Sequence, residues 1–157
     1  MAIDKATRVL VVADWTVEAT DVVAECRRRA ERDRALFILM VPAWLHGLDW
    51  AGDPRAALPC ARRQLATLAR LCLDAGLAVE VAGVGDPSPI SAIGDALAHH
   101  TATSVLLCTR ERHVPSHPLD LTHRVHRVTG LPVHRVTIRA GRAGGHCLAE
   151  AEEPLAA

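Results

Sequence analysis

The sequence predicts a three-layer α/β fold built on a five-stranded, doubly wound parallel sheet in the order 3-2-1-4-5. Three observations predict it. Short apolar runs alternate with longer stretches whose apolar residues recur at helical spacing, so the elements read βαβαβαβαβ. Strands joined through helices run parallel, with helices on both faces. The runs also differ in kind: one, two and four are apolar throughout, whereas three and five carry charges. Unbroken apolar runs belong at the centre of a sheet and interrupted ones at its edges. The order 3-2-1-4-5 meets this condition for every strand. It puts the switch point between strands one and four, where a ligand crevice is expected beside Asp14 and Cys108-Thr109-Arg110.

The first strand is Arg8-Val9-Leu10-Val11-Val12-Ala13, followed by the loop Asp14-Trp15-Thr16. A helix is expected from Val17 to Arg32. Ala19, Val22, Val23, Cys26 and Ala30 lie on its inner side, and Glu25 and Arg29 pair at the favourable spacing of four. Arg27-Arg28-Arg29 reads as a solvated helix face. Ala35 to Val41 is the second buried strand, ended by Pro42. The loop that follows carries Trp44, Leu45, Leu48 and Trp50. Large apolar side chains in a long loop mark a lid or a contact surface, or pack on the sheet end.

Helix two spans Arg55 to Ala75, with a stripe of Leu58, Ala61, Leu65, Leu68 and Cys72, and Gly76 suits its C′ position. Leu77 to Val84 is a more exposed strand with Glu80 at its middle. Gly85-Asp86-Pro87-Ser88-Pro89 is a turn in which Ser88 is placed to cap helix three and Pro89 to begin it. Ser104 to Cys108 leads the fourth strand. A loop rich in charge, histidine and proline follows, and then a fourth helix with Leu121, Val125 and Val128 at helical spacing. Thr129-Gly130-Leu131-Pro132 stops it, and Val133 to Arg139 is the fifth strand. The domain is expected over residues 1–139, with 140–157, rich in small residues and glutamate, as a flexible tail.

A chain of 157 residues, half of them hydrophobic, is long enough for one well-packed domain. Its basic and acidic side chains number 18 each, which argues against a nucleic-acid binder working by bulk charge. Lys5 is the only lysine, and with so much arginine and alanine the chain reads as the product of a GC-rich, bacterial genome. Five scattered cysteines, Cys26, Cys60, Cys72, Cys108 and Cys147, form no C-x-x-C pair. Most read as small buried hydrophobes, and the set suggests a reducing compartment. The N-terminus is too short and polar for a signal peptide, and no apolar run approaches the roughly 18–20 residues that span a bilayer. A soluble, cytoplasmic protein is expected, with no membrane and no nucleic-acid partner.

Four pieces, taken in their order and spacing, resemble the universal stress protein family over residues 8–138. They are Val9-Leu10-Val11-Val12-Ala13-Asp14, Gly85-Asp86-Pro87, Leu106-Leu107-Cys108-Thr109-Arg110 and Leu131-Pro132-Val133. The resemblance implies a small adenine-nucleotide-binding fold of the adenine nucleotide α-hydrolase-like kind. It also implies a cytoplasmic, usually dimeric protein linked to stress survival and signalling, by binding rather than catalysis. Asp14 then matches the position near base and ribose, and Val41 the position lining the adenine pocket. The implied crevice comprises Asp14, Val41, Gly85, Cys108, Thr109, Arg110 and Asp120, in vestigial or altered form.

The alteration lies in the phosphate loop. Nucleotide-binding members carry Gly-x-x-Gly and, further on, Gly-Ser or Gly-Thr, whose backbone N–H groups close on phosphate at a helix N-terminus. Here Cys108 and Glu111 replace the two glycines, Leu119-Asp120 stand for Gly-Ser, and Pro115 and Pro118 remove donors. Asp120 is expected at the N-cap of helix four, its carboxylate accepting the first-turn N–H groups in the anion's place. With Glu111 it would disfavour a triphosphate by on the order of a few kcal/mol, partly offset by Arg110, Arg112 and His113. The expectation is therefore no ordinary ATP binding and no cofactor. The alternative is an adenine nucleotide held by an altered loop.

Other constellations are weaker. His113, His117, His123 and His126 cluster, and His123 and His126 could share a metal ion, but neither H-E-x-x-H nor a nearby cysteine pair accompanies them. No G-x-S-x-G elbow or Walker loop is present, and Cys108 reads as a buried strand-end thiol rather than a nucleophile. An enzyme is not expected. The expected partners are a second copy joined through the edge strand Val133–Arg139, and a protein docking at the Trp44–Trp50 loop.

Overall fold

The structure, a computed structural model, describes residues 6–46, 52–110 and 120–141. Strands β1 (Thr7–Ala13), β2 (Ala35–Pro42), β3 (Ala78–Gly85), β4 (Ser104–Arg110) and β5 (Val133–Ile138) alternate with helices α1 (Ala19–Arg32), α2 (Leu58–Asp74), α3 (Pro89–His99) and α4 (Leu121–Thr129). All four strand pairings are parallel and the order is β3-β2-β1-β4-β5, as the charge pattern predicts.

The period-two alternation of each central strand splits the core in two. Val9, Val11, Phe37, Leu39, Leu106 and Cys108 face α1 and α2, against Val22, Cys26, Leu68 and Cys72. Leu10, Val12, Ile38, Met40, Val105 and Leu107 face α3 and α4, against Ala92, Ile93 and Val125. Central strands therefore need apolar side chains at every position, and the sequence supplies them. Among the described residues, the edge strands have one hydrogen-bonded neighbour each. On β3 the charge of Glu80 is met by Arg8, which reaches past β2 to place Nη2 2.9 Å from Oε2, and by His100 at 3.3 Å. Gly76 and Gly130 close α2 and α4 at φ of 75° and 69°, a region that side chains with a Cβ rarely adopt.

Several local expectations are corrected. Helix α1 starts at Ala19 rather than Val17, because Val17 is held in a bridge with Ala140 and its carbonyl accepts from Gln64 Nε2 at 2.8 Å. Ser88 occupies the N-cap of α3, but its side chain makes no cap hydrogen bond; its own N–H donates to Asp86 Oδ1 at 2.8 Å. Val128 does not join the core. It is 62% exposed, since the short α4 buries Val125 and half-buries Leu121 where the sheet runs out. Cys60 is buried as expected of a small hydrophobe, yet it is disulfide-bonded rather than a free thiol. Among the described residues, no helix is long and apolar enough to cross a membrane.

Candidate functional site

The switch point lies where it was expected. β1 separates β2 from β4, and Ala13 pairs with Cys108, so the chain leaves β1 at Asp14 beside the end of β4. The Asp14 N–H donates to the Cys108 carbonyl at 3.0 Å, which extends the ladder by one bond. Asp14 is thereby fixed at the carboxyl end of the sheet with only 3% of its surface exposed.

A buried carboxylate requires partners. Asp14 Oδ1 accepts the Thr16 N–H at 3.0 Å and lies 3.0 Å from His46 Nε2. The His46 ring is set by two indoles, its centroid 5.1 Å from that of Trp44 and 5.8 Å from that of Trp15. Trp15 Nε1–H donates to the Trp44 carbonyl at 2.7 Å, which locks the loop after β2 onto the loop after β1. Gln64 of α2 donates to the Asp14 and Val17 carbonyls at 3.4 and 2.8 Å. The arrangement is an acid–imidazole pair roofed by aromatic rings, with backbone amides and a side-chain amide fixing its base.

On β5, Arg135 bridges the end of β4 and the start of α4. Its Nε–H donates to Thr109 Oγ1 at 3.0 Å and its Nη1–H to Asp120 Oδ1 at 2.9 Å. Asp120 stands at the N-cap of α4, as predicted, but its carboxylate caps no amide. This corrects the expectation that it fills the anion position with its own charge. A guanidinium within reach competes successfully with first-turn amides, since both partners of such a pair are ionised. Two hydroxyls nearby, Thr16 Oγ1 and Thr122 Oγ1, are buried without a hydrogen-bond partner.

The expected site residues divide. Asp14 and Thr109 stand at the adjacent ends of β1 and β4, Asp120 is tied to Thr109 through Arg135, and Arg110 is exposed at the end of β4. The Cys108 side chain points away, into the core under α1, where burial and the Glu25 carboxylate push its thiol up to about 12. Val41 is fully buried against the same core. Gly85 lies two strands from β1, where its backbone passes Ala92 and Met40. Glu111, Arg112, His113, Pro115, His117, Pro118, Leu119, Leu48 and Trp50 lie outside the described residues. His123 and His126 are exposed, His126 Nδ1 lies 2.8 Å from the Leu131 carbonyl, and no group of three or more metal-ligating side chains occurs among the described residues.

Sequence reasoning missed His46, Gln64 and Arg135. His46 stands in a loop that attracts attention for its tryptophans, and a single histidine gives no periodic signal. Arg135 reads as one more charge on an edge strand. Only the strand order shows that it reaches Thr109.

No family model matches the sequence, and no curated protein matches it. Solved structures do. A universal stress protein from Archaeoglobus fulgidus is similar with a TM-score of 0.58 at 14% identity, over 83% of this chain and 93% of that one. A protein of the universal stress protein family from Burkholderia pseudomallei is similar with a TM-score of 0.55 at 16% identity, over 83% and 95%. With its strand order and these neighbours, the chain has the fold of the universal stress proteins.

Proposed function

We propose that this chain is a universal-stress-like binding and regulatory protein of a bacterial stress response that does not bind ATP in the ordinary way. The observation that carries the reading is the commitment of two described carboxylates, Asp14 and Asp120, to groups of the chain itself: Asp14 to His46 and Thr16, Asp120 to Arg135. A nucleotide's base and ribose would have to displace His46 from Asp14. Its phosphates would have to compete with Asp120 for Arg135. Each exchange costs hydrogen bonds to charged groups, about 1.5–3 kcal/mol apiece.

The protein acts by binding rather than catalysis, in the cytoplasm. The buried, protonated Cys108 thiol is no nucleophile at neutral pH, which supports this part of the reading. The partner is a second copy joined through β5, which among the described residues is an edge strand hydrogen-bonded by β4 alone. Light scattering on the eluting protein is expected to give twice the chain mass. A second protein partner docks at the loop that begins at Trp44.

A second reading rests on a specific observation. The first turn of α4 is left without a side-chain cap, and the Thr122 hydroxyl in it has no partner. Those donors, with Arg110 and Arg135, suit a phosphate group. Calorimetric titration with ATP, AMP and adenosine separates the two. Absence of saturable ATP binding supports the first reading; saturable micromolar ATP binding replaces it with an adenine-nucleotide binder using an altered loop.

A further inference from the structure

A cavity of about 390 Å³ lies between β3 and α3, on the sheet face away from α1 and α2 and two strands from β1. The backbone of β3 makes room for it. Leu39 pairs with Val81 but Met40 pairs with Gly83, so Ala82 is an extra residue opposite β2. The strand absorbs it as a bulge, with Gly83 at φ 113°, a conformation that side chains with a Cβ rarely adopt. On the helix side only the methyls of Ala92 and Ala96 face the opening, and they are too short to fill it. The floor is therefore apolar, made by Met40, Ala82, Ala92 and Ala96.

The polar side chains of the lining are all of one kind. They are Asp86, Asp95, His99 and His100, with no arginine or lysine among them. His99 Nδ1 lies 3.0 Å from the Asp95 carbonyl, and His100 Nδ1 lies 3.3 Å from Glu80 Oε2. A carbonyl and an ionised carboxylate only accept, so both Nδ1 atoms carry the proton. In the neutral ring Nε2 is then an acceptor. Asp86 Oδ1 accepts the Ser88 N–H at 2.8 Å, which leaves its second oxygen, and the Asp95 carboxylate has no partner among the described residues. The Glu80 carboxylate that His100 touches is met by Arg8 at 2.9 Å. The cavity thus offers acceptors and negative charge, and its complement is a cation rich in donors.

We propose that this cavity binds an aliphatic diamine or polyamine, a flexible chain with an ammonium group at each end. A metal ion does not suit it, because no three metal-ligating side chains among the described residues gather about one point. The volume is also far larger than the roughly 30 Å³ taken up by a water molecule. A quaternary or aromatic cation does not suit it either: the lining has no tryptophan or phenylalanine to cage one, and a quaternary ammonium has no N–H for the acceptors. The two carboxylates stand at different heights. Asp95 is about 9 Å along α3 from Pro89, and Asp86 precedes Pro89. An extended diamine can place an ammonium at each and lay its methylenes on Met40, Ala92 and Ala96. The inference is independent of whether the switch point binds a nucleotide.

The test is a titration of the full chain with putrescine at mildly alkaline pH, followed by NMR of labelled methionine methyls. The chain has 2 methionines, Met1 and Met40, so the cavity floor gives one of two signals. The Met40 signal is expected to shift saturably while that of Met1 stays in place. Butylamine, with a single ammonium, is expected to bind about tenfold more weakly than putrescine. Asp95→Asn, at an exposed position, and Asp86→Asn, whose amide oxygen still accepts the Ser88 N–H, are each expected to weaken putrescine by about tenfold. A Met40 signal that does not move at millimolar putrescine overturns the proposal. So does equal affinity for butylamine, unchanged affinity in both variants, or the same shift produced by magnesium chloride.

Discussion

Arg135 Nη1 lies 2.9 Å from Asp120 Oδ1, so the N-cap acid of α4 is neutralised by the strand next to it rather than by the amides of its own helix. Both side chains keep some solvent, at 34% and 22% exposure, so the pair itself contributes little to stability. Arg135→Ala is expected to cost no more than about 1 kcal/mol by urea denaturation. Its effect on anions is larger, because it removes a cation and leaves a carboxylate. Asp120→Ser does the opposite and releases Arg135 toward the crevice. By calorimetry, Asp120→Ser is expected to bind ATP more tightly than the parent, by about 1–2 kcal/mol, or roughly tenfold.

The pairing of Asp14 with His46 makes a second prediction. Asp14 is 2% exposed at its side chain, and His46 15%. Truncation of His46 removes one of the two donors to a buried carboxylate. His46→Ala is expected to destabilise the fold by about 1–3 kcal/mol. It also removes the ring lying against Trp15 and Trp44, so the tryptophan emission should change with it. If the ring keeps ligands from Asp14, the variant should bind adenosine more tightly than the parent does. Unchanged adenosine binding with the expected loss of stability would show that His46 is a structural partner of Asp14 and does not close the crevice.

The strand order was legible because it depends on a coarse contrast. Val9 to Ala13, Phe37 to Val41 and Val105 to Cys108 have no charge to hide, whereas Glu80 and Arg135 do. Burial enforces that contrast at every residue of a central strand. The crevice was legible only in its location. Asp14 and Thr109 are strand-end residues, and topology alone brings strand ends together. The partners of these residues were not legible, because they come from elements distant in sequence. His46 is 32 residues from Asp14, and Arg135 is 26 from Thr109. The side chain of Asp120 was misread for a related reason. Capping preference is a local rule, and a guanidinium from β5 overrode it.

Glu80 supplies a pH dependence. Hydrogen bonds and charge from Arg8 and His100 hold its carboxyl below the ordinary value of 4.5. A carboxyl lowered in the folded state contributes stability above its ordinary value and loses it as pH falls through its folded value. The parent's Tm is therefore expected to fall on acidification below pH 4.5 by more than that of Glu80→Gln, which has no such proton to take up. Equal slopes for the two proteins would mean that the exposed pair contributes nothing to acid sensitivity.

Gly85 was expected to line the crevice, but its surroundings give it a packing duty. A Cβ at this position would lie 2.5 Å from the Ala92 Cβ and 3.0 Å from Met40 Sδ. The Met40 side chain can rotate away, whereas Ala92 sits on α3 and can yield only if the helix shifts. Gly85→Ala is therefore expected to destabilise the protein by about 1–3 kcal/mol in chemical denaturation. The cause is testable by a double-mutant cycle. Ala92→Gly alone should cost about 1 kcal/mol in helix propensity, yet in the Gly85→Ala background it removes the colliding carbon. The double variant should be more stable than the sum of the single losses predicts. Strict additivity would locate the cost of Gly85→Ala elsewhere, in the turn that leads from β3 into α3.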